Sequence, residues 1–181
     1  RTASVLIKED SKGKSVSSDL ESFSEFGLFQ SGTNVNNELI TFRSPSLMTE
    51  VVKRLRLDMN YFVRGKFHRQ VAYGLTLPVD VTINDLPENE SAGFTLEIQP
   101  DGTLYLSDFI RNGTDLEEKD VKGSLLDSIT TPLGKIIIHT TPNYVKGEAY
   151  TLYVGKSNLY NAVNSCSSNL SVSLNNEKAS V

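Results

Sequence analysis

With 181 residues, 38% of them hydrophobic, the chain is long enough to bury one sizeable core and too apolar to be a disordered tail. Charged residues make up 22% and the formal net charge is −4, so the basic excess of a nucleic-acid or anionic-membrane surface is missing. A lone cysteine, Cys166, excludes an intrachain disulfide and a cysteine-based metal cluster, and leaves stability to packing.

Ser4 to Lys8 alternates around Val5 and Ile7, the period of a strand. Lys12 to Gln30 is a serine-rich, glycine-punctuated connector. Its Phe23, Phe26, Leu28 and Phe29 are hard to leave in water, which predicts packing onto the domain through a one-turn helix near Asp19 to Phe23. Asn34 can cap a first helix that places Val35, Leu39 and Phe42 at near-helical spacing, with Asn36, Asn37 and Glu38 in its opening turn. That helix is expected to stop near Arg43. Ser44 then supplies a capping oxygen and Pro45 a first helical position that gives up only an unpartnered N–H. The second helix carries a stripe of Leu47, Val51 and Leu55, with Met48 and Val52 beside it, and reads as an amphipathic layer on a sheet. Lys53 to Arg56 reads as a solvated, dipole-favoured helix end.

Strands are expected at Asn60 to Arg64 and Gln70 to Leu75, joined through Gly65-Lys66, and at Val79 to Asn84. Phe94 to Ile98 and Leu104 to Leu106 flank Pro100-Asp101-Gly102, the clearest hairpin in the chain. Asn112 to Asp120 reads as an acidic, glycine-containing loop. The β-branched run Ile136 to Ile138 suits a central strand, and Tyr150 to Val154 gives another. Ser157 to Ser165 reads as a short helix capped by Ser157, and Cys166 as a small, partly buried residue on a short helix. Leu170 to Leu174 and Ala179 to Val181 close the strand pattern.

The chemistry is a set of absences. His68 and His139 stand outside any metal-binding spacing, and no glycine loop runs into Lys-Ser or Lys-Thr to cradle a phosphate. No Gly-x-Ser-x-Gly elbow occurs. Asp115, Glu117, Glu118 and Asp120 crowd one loop, as do Glu88 and Glu90, but glycan hydrolysis needs two carboxylates facing across a cleft with one pKa raised. The sequence therefore names no catalytic, cofactor-binding or metal-ligating residue, and no cofactor. The sequons at Asn89, Asn112 and Asn169 would matter in a eukaryotic secreted protein and otherwise read as chance matches.

Asn-Glu-Leu-Ile, Arg-Ser-Pro-Ser-Leu and Val-Val-Lys-Arg-Leu-Arg-Leu, followed by Tyr61 and Gly65, form an ordered set between Asn34 and Gly65. It resembles the periplasmic region of Wzz-type chain-length determinants, the polysaccharide co-polymerases, especially those fused to a tyrosine autokinase in capsule and exopolysaccharide export. Thr2-Ala-Ser-Val-Leu-Ile-Lys is similar to the strand after the family's first membrane helix. Tyr73 with Pro78, Thr131-Pro132-Leu133-Gly134-Lys135-Ile136 and Ala179-Ser180-Val181 resemble later family segments.

The fold class expected from this reading is α+β, a single domain over residues 1–181, with an antiparallel or mixed sheet and a few helices on one face. The resemblance implies a non-enzymatic module on the periplasmic side of the bacterial inner membrane, which self-associates and helps set polysaccharide chain length or export. Its implied partners are copies of itself, the polymerase and export machinery, and the polysaccharide itself, with no nucleic acid. No segment here approaches 18 consecutive apolar residues, and the chain opens at Arg1, so membrane helices and any kinase part are expected outside these ends. A carbohydrate-binding or adhesive surface domain is the alternative, served by Tyr61, Tyr73, Tyr105, Tyr144, Tyr150, Tyr153 and Tyr160 if they line one face. A small hydrolase of unfamiliar spacing is a third reading and requires converging titratable groups in a cleft.

Overall fold

The computed structural model describes residue 3 and residues 35–64, 69–72, 76–117 and 119–173. The expected strand at Ser4 to Lys8, the connector of Lys12 to Gln30, the Asn34 cap, the Gly65-Lys66 junction and the closing segment Ala179 to Val181 lie outside those residues. So do His68, Tyr73 and Glu118.

Within them the chain is α+β. Two helices come first, α1 (Val35–Phe42) and α2 (Pro45–Leu55), then strands β1 (Met59–Arg64), β2 (Arg69–Ala72), β3 (Val79–Asn84), β4 (Ala92–Ile98) and β5 (Thr103–Arg111). β6 (Thr114–Asp115), β7 (Val121–Ser124), β8 (Ser128–Thr131), β9 (Gly134–Thr140) and β10 (Tyr150–Lys156) follow, and α3 (Leu159–Asn169) closes the order. The strands form two sheets where one was expected, and every pairing is antiparallel. A seven-stranded sheet runs β2-β1-β10-β4-β5-β6 with β7 also on β5, and a three-stranded sheet runs β3-β9-β8. The chain divides into two compact units, Arg1–Glu50 with Ser165–Val181, and Val51–Asn164, and the second holds both sheets.

The break between α1 and α2 follows the expected chemistry. The Ser44 amide donates to the Thr41 carbonyl at 2.9 Å, and the Ser44 carbonyl accepts the first bond of α2 from the Met48 amide at 3.1 Å, so Pro45 opens α2 at no hydrogen-bonding cost. The buried side of α2 centres on Val52, which is out of water, while Leu55 is 64% exposed. Leu55 leaves the apolar stripe because the helix ends on it. The Leu57 amide reaches back to the Val52 carbonyl at 3.0 Å and the Arg56 amide to the Lys53 carbonyl at 3.3 Å, a Schellman closure with Arg56 in the left-handed region at φ 51°.

Packing between the sheets makes the core. Phe94, Leu96, Ile98, Leu104, Leu106, Leu152 and Val154 of the larger sheet join Val79, Val81, Ile129, Ile136 and Ile138 of the smaller one in a single buried cluster. Fully burying each such side chain stabilises the fold by about 1.5–3 kcal/mol before entropy is counted. The run Ile136 to Ile138 is indeed central, in β9 between β3 and β8. One irregularity tunes the packing. Between β4 and β5 the register shifts from Gly93↔Ile110 to Thr95↔Ser107, and Asp108 takes φ 52°, so Phe109 turns inward to stack with Phe94 at 6.2 Å between ring centroids.

Three tight turns set the registers. Gly102, at φ 86°, donates to the Gln99 carbonyl at 2.8 Å, while the Asp101 carboxylate accepts the Thr103 amide at 2.9 Å, as the Pro-Asp-Gly signal requires. Asn112 and Gly113 have φ of 51° and 80°, the pair of positive values a type I′ hairpin demands, and β6 pairs back on Ile110 and Arg111. The reading of Asn112 to Asp120 as a loop is thus corrected at its start. At Gly134, φ is 109° and an added Cβ would sit 2.4 Å from the Asn84 carbonyl oxygen, so only glycine fits between β8 and β9.

Two further expectations change. Asn158, not Ser157, caps α3: its side-chain oxygen accepts the Asn161 amide at 2.8 Å, whereas the Ser157 amide donates to the Asp58 carbonyl at 2.8 Å and prolongs the pairing of β10 with β1. Residues 170–173 do not form the strand expected from Leu170 onward. Helix α3 runs to Asn169, and the Arg43 guanidinium donates to the Val172 carbonyl at 2.6 Å.

Candidate functional site

Alternation along the seven-stranded sheet sends Tyr61, Leu152, Val154, Phe94 and Leu96 into the core, and so sends Asn60, Phe62, Tyr153, Gly155, Gly93 and Ile110 to the opposite face. That outer face carries a hollow of about 340 Å³, lined by these residues together with Ser91, Lys156, Ser157, Asn158 and Asn161. Tyr153 lies flat across the sheet. A Cβ on Gly93 would meet its hydroxyl at 2.2 Å and one on Gly155 its ring at 3.5 Å, so the two glycines form the bed for the ring. Phe62 stands beside it, 6.2 Å away between ring centroids and tilted by 47°, so the two rings form an angled aromatic floor.

Polar groups ring this floor. The Asn60 amide donates to the Asp58 carbonyl and the Ser157 hydroxyl at 3.3 and 3.4 Å, and Asn158 and Asn161 come from the capped start of α3. The cation in the lining, Lys156, sits 3.5 Å from Asp58, and both side chains are largely shielded, so the pair is internally balanced. A second hollow of about 750 Å³ lies further along the same face, at Glu97, Gln99, Pro100, Asp101, Tyr105, Ser107 and Asp120.

A separate polar network joins the end of α2 and β1 to the border of β3 that faces away from β9. Arg56 donates to Asp80 at 2.7 Å and to the Val81 carbonyl; the Val81 amide donates to the Tyr61 hydroxyl at 3.0 Å, which in turn donates to Asp80 at 3.1 Å. Burial pushes the Tyr61 hydroxyl well above its ordinary 10.0, and the charge on Asp80 pushes the same way, so it stays a neutral donor. Arg56 is therefore a structural residue and not part of a solvated helix end. Lys53 likewise pairs with Glu88 at 2.9 Å.

Among the described residues the carboxylates flagged by sequence are not brought together as an acid–base pair. Glu88 goes to Lys53 and Glu90 to Arg111; Asp115 accepts the Glu117 amide at 2.9 Å, a local turn; Asp120 lines the second hollow. The bond from Arg111 holds Glu90 below its usual 4.5, and the Thr103 amide holds Asp101 below 3.8, the opposite direction from that of a general acid. His139 is an exposed strand residue opposite Asp80. Among the described residues no group of three or more His, Cys, Asp and Glu side chains could hold a metal.

The tyrosines scatter. Tyr61 is core, Tyr144 and Tyr150 pair at 5.7 Å against it, Tyr105 and Tyr153 lie on the outer face, and Tyr160 is 74% exposed on α3. Sequence reasoning missed the hollow. The signal that could have found it was alternation carried through, Asn60-x-Phe62 and Tyr153-x-Gly155 sharing a face beside Ser157-Asn158. No family model matches the chain, and no curated protein matches it.

Proposed function

We propose that this chain is a non-enzymatic assembly module, the periplasmic part of a membrane-anchored polysaccharide co-polymerase whose copies self-associate to govern capsular or exopolysaccharide chain length. One observation carries the reading. The Asp58 carbonyl bonds the Ser157 amide, and Glu88 bonds both Lys53 and the Leu159 amide, drawing the end of α2 and the start of α3 together. That same stretch leaves Leu55, Leu57 and Tyr160 in solvent, at 64%, 42% and 74% exposure. Large apolar side chains held in water on a rigid support suit contacts between copies. The ordered sequence resemblance supports the same role. No helix among the described residues is long and apolar enough to cross a membrane, so on this reading the anchor lies in flanking segments.

In dilute solution the 181-residue chain is expected to be a monomer or weak oligomer, since the patch is small beside the roughly 1,200–2,000 Å² a stable interface buries. Displayed densely on vesicles, copies should crosslink beyond dimers, and the double variant Leu55→Asp with Tyr160→Asp should return them to monomers. Monomers alone at every surface density would overturn the proposal, as would a gene neighbourhood without glycosyltransferases or export proteins.

A further inference from the structure

We infer that the hollow on the outer face of the seven-stranded sheet binds an uncharged saccharide segment of one or two rings. The inference goes beyond the assembly role, which needs only contacts between copies, and the two can fail separately.

The floor is the first reason. Phe62 and Tyr153 present adjoining aromatic surface on a face that the core does not need, and the C–H side of a pyranose ring packs on such surface. Tyr153 is held flat by Gly93 and Gly155, so its orientation is fixed before any ligand arrives.

The rim is the second reason. Asn60 brings its side-chain oxygen, Asn158 its side-chain nitrogen and Asn161 both ends of its side-chain amide, while Ser91 and Ser157 bring hydroxyls. Vicinal sugar hydroxyls both donate and accept, and amides match them better than charged groups do. Asn161 is exposed and its side-chain amide has no hydrogen-bond partner among the described residues, while the Asn158 oxygen is already used by the Asn161 backbone N–H. Charge is the third reason. Lys156 is the charged side chain of the lining, and Asp58 balances it, which disfavours an anionic sugar. The volume, about 340 Å³, lies at the small end of the range of roughly 300–1,000 Å³ for ligand sites.

Maltotetraose, cellotetraose and mannotetraose, with tetragalacturonate as the acidic arm, can be titrated into the labelled 181-residue chain while amide resonances are followed by NMR. At least one neutral tetrasaccharide should shift the amides of Gly93, Gly113, Gly155 and Asn161, with a Kd on the order of 1 mM for so open a site. Asn161→Ala removes an exposed amide from a helix that tolerates alanine, and should weaken binding by about three- to tenfold. Phe62→Ala should abolish it. Three results would overturn the inference: no shifts at the hollow with any neutral probe up to about ten times that Kd, preference for the acidic arm, or binding that ignores both substitutions. Vesicle crosslinking of the Phe62→Ala variant separates the two proposals, since Phe62 lies on the outer sheet face and is not one of Leu55, Leu57 and Tyr160.

Discussion

On the inner face of the seven-stranded sheet, Phe94, Leu96, Ile98, Leu104 and Leu106 are wholly out of water, and each meets a partner from β3, β8 or β9 or from its own sheet. On the outer face, one residue along each strand, Phe62, Thr95, Tyr105, Ser107 and Tyr153 stand half-buried or exposed with polar neighbours. The inner set is explained once the two sheets pack, because apolar area and close packing account for every member. The outer set is not. A sheet facing water needs polar residues there, and two aromatics side by side over paired glycines exceed that need. Packing thus accounts for one face and leaves the make-up of the other unexplained.

Substitutions can break that division. The largest effect should come from Phe94→Ala, which empties space between stacked rings in the core and should cost about 3–5 kcal/mol in urea or guanidinium unfolding; a cost under 1 kcal/mol would mean that the faces do not differ as described. Next comes Gly134→Ala. The left-handed φ of 109° and the Asn84 carbonyl leave no room, and about 1–3 kcal/mol should be lost with β8–β9 pairing weakened in amide exchange. An unchanged melting temperature would refute the turn.

Tyr61→Phe tests the polar seam at the rim of the core. It removes the acceptor of the Val81 amide and a donor to Asp80, and should cost about 1–2 kcal/mol at neutral pH. Tyr61 also has a pH signature. Its folded pKa lies above the unfolded 10.0, so the stability tied to it is whole below pH 10 and drains as pH rises toward the folded value. The variant should lose less stability than the parent between neutral pH and pH 11, and parallel curves would count against the network. Smallest of all should be Phe62→Ala, at about 0.5 kcal/mol or less, because that ring belongs to the outer face. A loss near that of Phe94→Ala would place Phe62 in the core and undo the comparison.

Much of this was legible from residues alone, and the gaps have physical causes. Pro100-Asp101-Gly102 announces its hairpin because each residue supplies a local need. Ser44-Pro45 marks the helix break for the same reason. Asn112-Gly113 carries an equally local I′ signal, but the acidic residues after it, Asp115 to Asp120, suggested a loop and hid the two-residue β6. The short β7 and β8 were not read from sequence either. Lys122 alternates with glycine and serine in Val121–Ser124, and Ile129 is the one buried residue of Ser128–Thr131, so neither strand shows a full apolar period. Leu55 fits a helical stripe and is nevertheless exposed: the helix closes on it with Arg56 in the left-handed region, and Arg56 then meets Asp80, a partner 24 residues away that the local pattern does not show. The hollow was illegible for a similar reason. Asn60, Ile110, Tyr153 and Asn161 meet only after β1, β10, β4 and β5 are laid side by side.

Arg56 and Tyr61 have one more effect. Among the described residues strand β3 pairs with β9 on one side only, and a strand border without a partner strand is where a foreign chain can add itself and start a fibrous stack. At the middle of that border the amide of Val81 is already held by a phenol and its carbonyl by a guanidinium. An intruding strand would find both groups taken. Such side-chain plugs guard the border against runaway stacking.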